Sequence, residues 1–200
     1  MVSPSRFGLS SAVLAFRVLS GTTQASAHLA NITIDDTNST FWTWAGSWHA
    51  VTPSTPCTNC FAQPDPSKAY DSTWHDGSLR SGSFSFQGTA VYIYGIDVFD
   101  PANISFSLND PALTSFHYYA GQDYQYNSLF FQAAGLTSDV QHTVTWVLET
   151  SAAGGGAGLF DYAVVTVDEP DPTTSASASN TSSTSASTSS TASSSMLSTS

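Results

Sequence analysis

Positive charge is almost missing from this 200-residue chain: four Lys and Arg stand against fifteen Asp and Glu. Arg6 and Arg17 lie in the first 27 residues, so Lys68 and Arg80 alone face the acids of the remainder. Phosphate backbones and anionic bilayers are held chiefly by Lys and Arg, which excludes nucleic acid as a partner and disfavours a charged membrane surface. Good helix formers are scarce, with two Glu and a single Lys, whereas Thr, Val, Ser and aromatics are plentiful. That is the composition of strands rather than helices. No apolar run approaches the roughly 20 residues of a membrane-spanning helix. The G-x-S-x-G elbow, the P-loop, G-x-G-x-x-G and H-E-x-x-H are all absent. Cysteine is limited to Cys57 and Cys60.

What is present divides the chain into three. Arg6, the short apolar run 7–16 and the small–x–small site Ala25-Ser26-Ala27 predict a secretory leader over 1–27, the alternative being a disordered end on a cytosolic protein. From Pro172 to Ser200, 21 of 29 residues are Ser or Thr. Such a tract buries too little to offset the entropy of ordering, and it matches a disordered, O-glycosylated stalk or a bare linker. The body between, 28–171, suits one domain, since a chain near that size buries about 70% of its unfolded surface. Asn31, Asn38, Asn103 and Asn180 each head an N-glycosylation sequon. In an exported chain Cys57 and Cys60 are most simply a disulfide. The same spacing serves zinc and redox motifs, but a closed zinc site lacks its other ligands here and a redox motif lacks its βαβ context.

The body alternates apolar and polar residues over short runs between turn residues, which is strand grammar. Runs at 31–34, 41–45, 83–86, 89–94, 104–108, 128–131, 142–148 and 159–167 predict an all-β antiparallel sandwich, with a barrel as the other architecture. Gln87-Gly88 between two such runs predicts a hairpin. Phe84 and Phe86, then Ile104, Phe106 and Leu108, then Val144, Trp146 and Leu148, each share a face and are expected in the core.

The motifs IDDT at 34–37, CTNC at 57–60, QPDP at 63–66, TWH at 73–75, FQGTAVYIYG at 86–95, HTV at 142–144 and DY at 161–162 run in order along the body, with Trp48, Ala69-Tyr70 and Gly135-Leu136 among them. In that order the chain resembles the secreted or membrane-anchored surface proteins of basidiomycete fungi that carry a galactose-binding-domain-like jelly roll. The resemblance implies a jelly-roll ectodomain at the cell surface or wall, carried on a Ser/Thr-rich stalk. Family members often continue into a transmembrane helix. This sequence stops at Ser200 inside the tract, so membrane attachment would come only through an anchor beyond it. Asn109-Asp110 stands where related domains have Asp-Gly, and Asn and Asp still tolerate that turn.

Chemistry is sparse. Asp35-Asp36 is an acidic pair, but neighbours on an extended chain point to opposite faces, whereas a glycosidase needs two carboxyls about 5–9.5 Å apart across one cleft. A turn-and-cap role is expected. Asp35 or Asp36 with Asp161 is the candidate ligand set for a structural Ca²⁺, and no other cofactor is expected. His49, His75, His117 and His142 are expected in structural roles, His75 bonding locally beside a packed Trp74. The functional expectation rests on aromatics. A sugar offers an apolar C–H face and a hydroxyl rim, so its site needs a flat ring with convergent polar groups. Trp48 and the loop group Tyr119, Asp123, Tyr124 and Asn127 are the candidate ligand-binding residues; core filling is the alternative, above all for Trp42, Trp44 and Trp48. The chain is therefore expected to be a non-enzymatic, extracellular glycan-binding module. The alternatives are a receptor-like head for a protein partner and a glycan hydrolase. Nothing in the residues sets an oligomeric state.

Overall fold

The computed structural model describes residues 27–170. The expected leader over 1–27 (all but its last residue), the Ser/Thr tract and the Asn180 sequon lie outside the described residues. Eleven strands run β1 (Ala27–Asp35), β2 (Trp42–Ala45), β3 (His49–Val51), β4 (Trp74–Ser78), β5 (Ser81–Gln87), β6 (Ala90–Asp97), β7 (Asn103–Leu108), β8 (Leu113–His117), β9 (Gln125–Ala134), β10 (Gln141–Glu149) and β11 (Ala157–Pro170). One sheet is ordered β3-β4-β11-β6-β9, with β1 also on β11; the other is β2-β5-β10-β7-β8. Every ladder between named strands is antiparallel. The two sheets form a sandwich.

Strict alternation explains the core. Phe84, Phe86, Ile104, Phe106, Leu108, Val144, Trp146 and Leu148 are all buried, as their shared faces require. They meet Val91, Ile93, Phe131, Phe160 and Val165 of the opposite sheet in one cluster. Phe160 sits at its centre, within 6.3 Å ring to ring of Trp42, Trp44, Trp48, Phe106, Phe130 and Trp146. Gly95 is required by close approach: a Cβ there would lie 2.2 Å from the Phe130 ring and 2.3 Å from the Leu159 carbonyl oxygen.

The expected hairpin at Gln87-Gly88 does not form. β5 pairs with β2 and β10, while β6 pairs with β11 and β9, so the link is a corner between sheets. Both runs are apolar on one face, and burying Phe84 and Phe86 against Val91 and Ile93 across the core satisfies them better than lying side by side. Thr89 N donates to Thr166 O at 2.7 Å and fixes the corner. His142, buried, ties two more connections together, its ring nitrogens facing Asp110 O at 2.6 Å and Thr137 O at 2.9 Å.

The long strand β11 changes partner along one edge. It pairs with β4 through Phe160 and with β1 from Tyr162, and its register against β6 shifts between the same two residues. Asp161 stands at the changeover, fully buried, and its carbonyl accepts Asp36 N–H at 3.0 Å.

Candidate functional site

The loop between β3 and β4 is rich in proline and tied at several points. Cys57 and Cys60 form a disulfide. Gln63 Nε2 donates to the carbonyls of both cysteines at 2.7 Å. Tyr124 Oη accepts Gln63 N–H at 2.6 Å, and Tyr126 Oη accepts Asp65 N–H at 2.5 Å. Asp65 in turn caps Ser67 N–H at 3.0 Å, opening the first of two single-turn 3₁₀ helices, Pro66–Lys68 and Tyr70–Ser72. The loop is thus built on phenol hydroxyls reaching up from the sheet edge. Tyr124→Phe and Tyr126→Phe are each expected to cost about 1 kcal/mol. They should also raise amide exchange at Gln63 and Asp65, with global unfolding little changed.

A cleft lies on each side of this loop. One, of about 410 Å³, is apolar and lined by Val51, Pro53, Pro56, Pro64, Pro66 and Trp74 among others. The second, of about 350 Å³, is polar: Ser47, His49, Asp76, Arg80 and Asp100 face it, and Phe61 stands at its wall. Phe61 is 67% exposed and pairs with Phe99, 40% exposed, at 5.0 Å between ring centres; Phe99 continues to Tyr124 at 6.3 Å. An exposed aromatic ridge therefore borders a polar cleft. His49 lies opposite Asp76 on the β3–β4 ladder. Burial pushes the Asp76 carboxyl above its ordinary range, and His49 opposes that rise. Arg80 forms no ion pair among the described residues, and its Nε has no hydrogen-bond partner. The cleft thus offers a guanidinium, two carboxylates, an imidazole and hydroxyls beside a ring face.

The expected ligand-binding residues each contact a different set of neighbours. Trp48 packs inward on Phe160 and Gly77, its Nε1 donating to Ser81 O at 2.9 Å. Tyr119 folds over Gly121, and Asp123 is exposed. Tyr124, half-buried, anchors the loop and edges onto Phe99. Asn127, exposed and at φ +54°, accepts from Tyr162 Oη at 3.2 Å, where Tyr162 stacks on Tyr94. Phe61, Phe99 and Asp100 carry no expectation from the sequence, and Asp76 and Arg80 carry none as ligand-binding residues. Two signals were available: an isolated Phe beside a disulfide in a proline loop, and one of only two bases in the body.

His49 lies within 4.8 Å of both cysteine sulfurs, but these are bonded to each other and supply no thiolate ligand. Asp36, buried with Asp161, accepts from His75 Nδ1 and from Thr73 Oγ1 at 2.8 Å; the same hydroxyl also meets Asp35 at 2.8 Å. His75 therefore bonds 39 residues away rather than locally, while stacked on Trp44 at 4.1 Å. Asp161 accepts Tyr70 N–H at 3.0 Å. These are hard oxygen donors of the type Ca²⁺ takes. Yet Asp35, Asp36 and Asp161 do not bring ligand atoms within 4.8 Å of one another as a set, and one Asp36 oxygen is turned to an imidazole nitrogen. The arrangement as it stands does not fit a calcium cage. Burial lifts the Asp36 carboxyl to about 6 and that of Asp161 to about 8. A third buried acid, Asp97, accepts from His117 Nε2 at 2.8 Å and from Ser128 Oγ, clipping β8 to the opposite sheet.

No family model and no curated protein matches the sequence. Among solved structures, the chain is similar at 12% identity to a family two carbohydrate esterase from Cellvibrio japonicus, over 72% of this chain and 36% of that one, with a TM-score of 0.42. It is also similar to the CBM36-1 domain of a multidomain xylanase from the hindgut metagenome of Trinervitermes trinervoides, at 12% identity over 68% and 96% of the two chains, TM-score 0.39. A third is the CBM22-1 xylan-binding domain from Paenibacillus barcinonensis, at 13% identity over 68% and 93%, TM-score 0.31. The chain spans about a third of the esterase, and each of these is a likeness of chain course that assigns no ligand here.

Proposed function

We propose that the domain is a non-catalytic, extracellular carbohydrate-binding module of a fungal surface or wall protein, and that it holds a sugar at the loop end. The carrying observation is the exposed Phe61–Phe99 ridge beside a cleft whose Arg80 has no ion-pair partner among the described residues. A pyranose stacked on Phe61 would turn its hydroxyls toward Arg80, His49, Asp76 and Asp100, matching its two kinds of surface at once. Tyr124 serves this site from behind, by holding the loop that carries Phe61. Export is supported by the disulfide and by the exposed side chains of Asn31 and Asn38 at two sequons. The sandwich then acts as a rigid head, with the Ser/Thr tract as a stalk that holds it clear of the wall.

The test is a pull-down and titration against a panel of fungal and plant wall polysaccharides. Phe61→Ala is expected to weaken binding about tenfold, the loss of one stacked ring. Silence across the panel, or binding indifferent to Phe61, would remove the reading. A second reading is favoured by two carboxyls, Asp76 and Asp100, lining the one cleft: hydrolysis, with Asp76, which burial raises, as proton donor. Release of reducing sugar that stops in Asp76→Asn would establish it.

A further inference from the structure

The outer face of the five-stranded sheet carries an ordered hydroxyl array. Register sets Thr43, Ser83, Thr145, Ser107 and Thr114 side by side on β2, β5, β10, β7 and β8, one hydroxyl per strand across the whole sheet. At a strand spacing of about 4.8 Å the row is roughly 19 Å long. Four of the five residues are exposed and Ser83 is half-buried. The adjacent row, about 7 Å away along the strands, reads Ala45, Ser81, Val147, Ser105 and Phe116. It is apolar on the first, third and fifth strands and carries a hydroxyl on the second and fourth; Val147 is 48% exposed and Phe116 60%. On the other side Ser85 and Thr143 share a hydrogen bond at 3.1 Å, as Ser107 and Thr145 do in the first row. None of these residues is charged, and Glu149 bounds the array on β10. Between β7, β8 and β10 the face dips into a depression of about 350 Å³.

A surface of this kind suits a neutral polymer, because any charge brought to it would be left unpaired. Its two periods narrow the class. An extended β-1,4-linked pyranose chain advances per sugar by close to one strand spacing, and alternate sugars are flipped, so its full repeat is two sugars. Laid across the strands, such a chain would set one sugar over each hydroxyl of the first row. Every second sugar would then find an apolar side chain in the adjacent row. We propose that this face binds an extended, neutral β-1,4-linked polysaccharide, one sugar per strand, as a second contact surface. It rests on the reading of the chain as a glycan binder but uses none of the loop-end residues.

The experiment titrates the full ¹⁵N-labelled chain with cello- and xylo-oligosaccharides of two to seven sugars, with maltohexaose, a curved α-1,4 chain, as comparison. Shift changes are expected on β5, β10 and β7. Affinity should climb with length up to five sugars and then level off, and maltohexaose should bind at least tenfold more weakly. Thr145→Glu is expected to weaken hexamer binding at least tenfold and Thr145→Ser less than threefold, both retaining the wild-type unfolding midpoint. Shifts confined to the Phe61 cleft would overturn the proposal while sparing the loop-end site. Binding indifferent to length or to Thr145→Glu would also overturn it, and no binding of any oligosaccharide would remove it together with the reading it rests on.

Discussion

Replacing Asp161 by Asn is expected to raise the thermal midpoint at pH 8 by roughly 10 °C, at about 3 °C per kcal/mol for a chain of this size, and to change it little below pH 4. Burial lifts Asp161 to about 8 and Asp36 to about 6, against an ordinary value of 3.8. A carboxyl whose folded value is raised binds its proton more tightly in the folded chain than in the unfolded one. Stability is therefore fullest below about pH 4 and falls as pH rises, until Asp36 has ionised near 6 and Asp161 near 8. Between pH 5 and pH 8 the two groups together remove several kcal/mol. An amide at 161 keeps an acceptor for Tyr70 N–H and has no proton to lose, so its effect should grow with pH. Calorimetric scans of both proteins at half-unit pH intervals check this. Equal destabilisation of Asp161→Asn at every pH would contradict it. If Asp35, Asp36 and Asp161 were calcium ligands after all, millimolar Ca²⁺ would lift the wild-type midpoint at pH 8 and Asp161→Asn would abolish that lift.

Phe160→Ala is expected to cost 3–5 kcal/mol, a large share of the stability of any domain this size. Phe160 is fully buried and meets aromatic rings of both sheets, stacking on Trp146 at 4.5 Å and meeting Phe130 edge-on at 5.4 Å. The surrounding indoles are large and rigid, so the cavity would close only partly, which places the loss at the upper end for its chemistry. Urea unfolding followed by near-UV circular dichroism reads both the midpoint and the aromatic packing. A loss under 1 kcal/mol would mean the cluster is not the core that holds the sheets together.

Much of the sandwich was legible in the sequence, for a simple reason: where one face of a strand is buried, residues two apart carry the same chemistry. Phe84 and Phe86, or Val144, Trp146 and Leu148, declare their side without any partner being known. The short strands β3, β4 and β8 were not legible. Trp74–Ser78 buries the adjacent Trp74 and His75, and Leu113–His117 leaves Leu113 and Phe116 exposed, so neither shows the alternation of a half-buried strand. Pairing was less legible still. The runs flanking Gln87-Gly88 look like a hairpin locally, and only the wider competition for partners sends them to different sheets. The meeting of Asp36, His75 and Asp161 depends on β11 exchanging β4 for β1, a long-range event with no local trace. At the loop end, Tyr124 reads in the sequence as a ring for ligand, and in the fold its hydroxyl also holds the backbone that presents Phe61. The sequence signals an aromatic near a loop; only the fold says whether its face or its hydroxyl is in use.

The most direct trial of the loop-end site is ¹⁵N chemical-shift mapping of the intact chain with the tightest-binding wall oligosaccharide from the panel, recorded for wild type and Phe61→Ala. The amides of His49, Phe61, Asp76, Arg80 and Asp100 are expected to move together with one saturating curve, and that movement to be lost when Phe61 is removed. Saturable sugar binding that leaves those five amides still would contradict the assignment of the site.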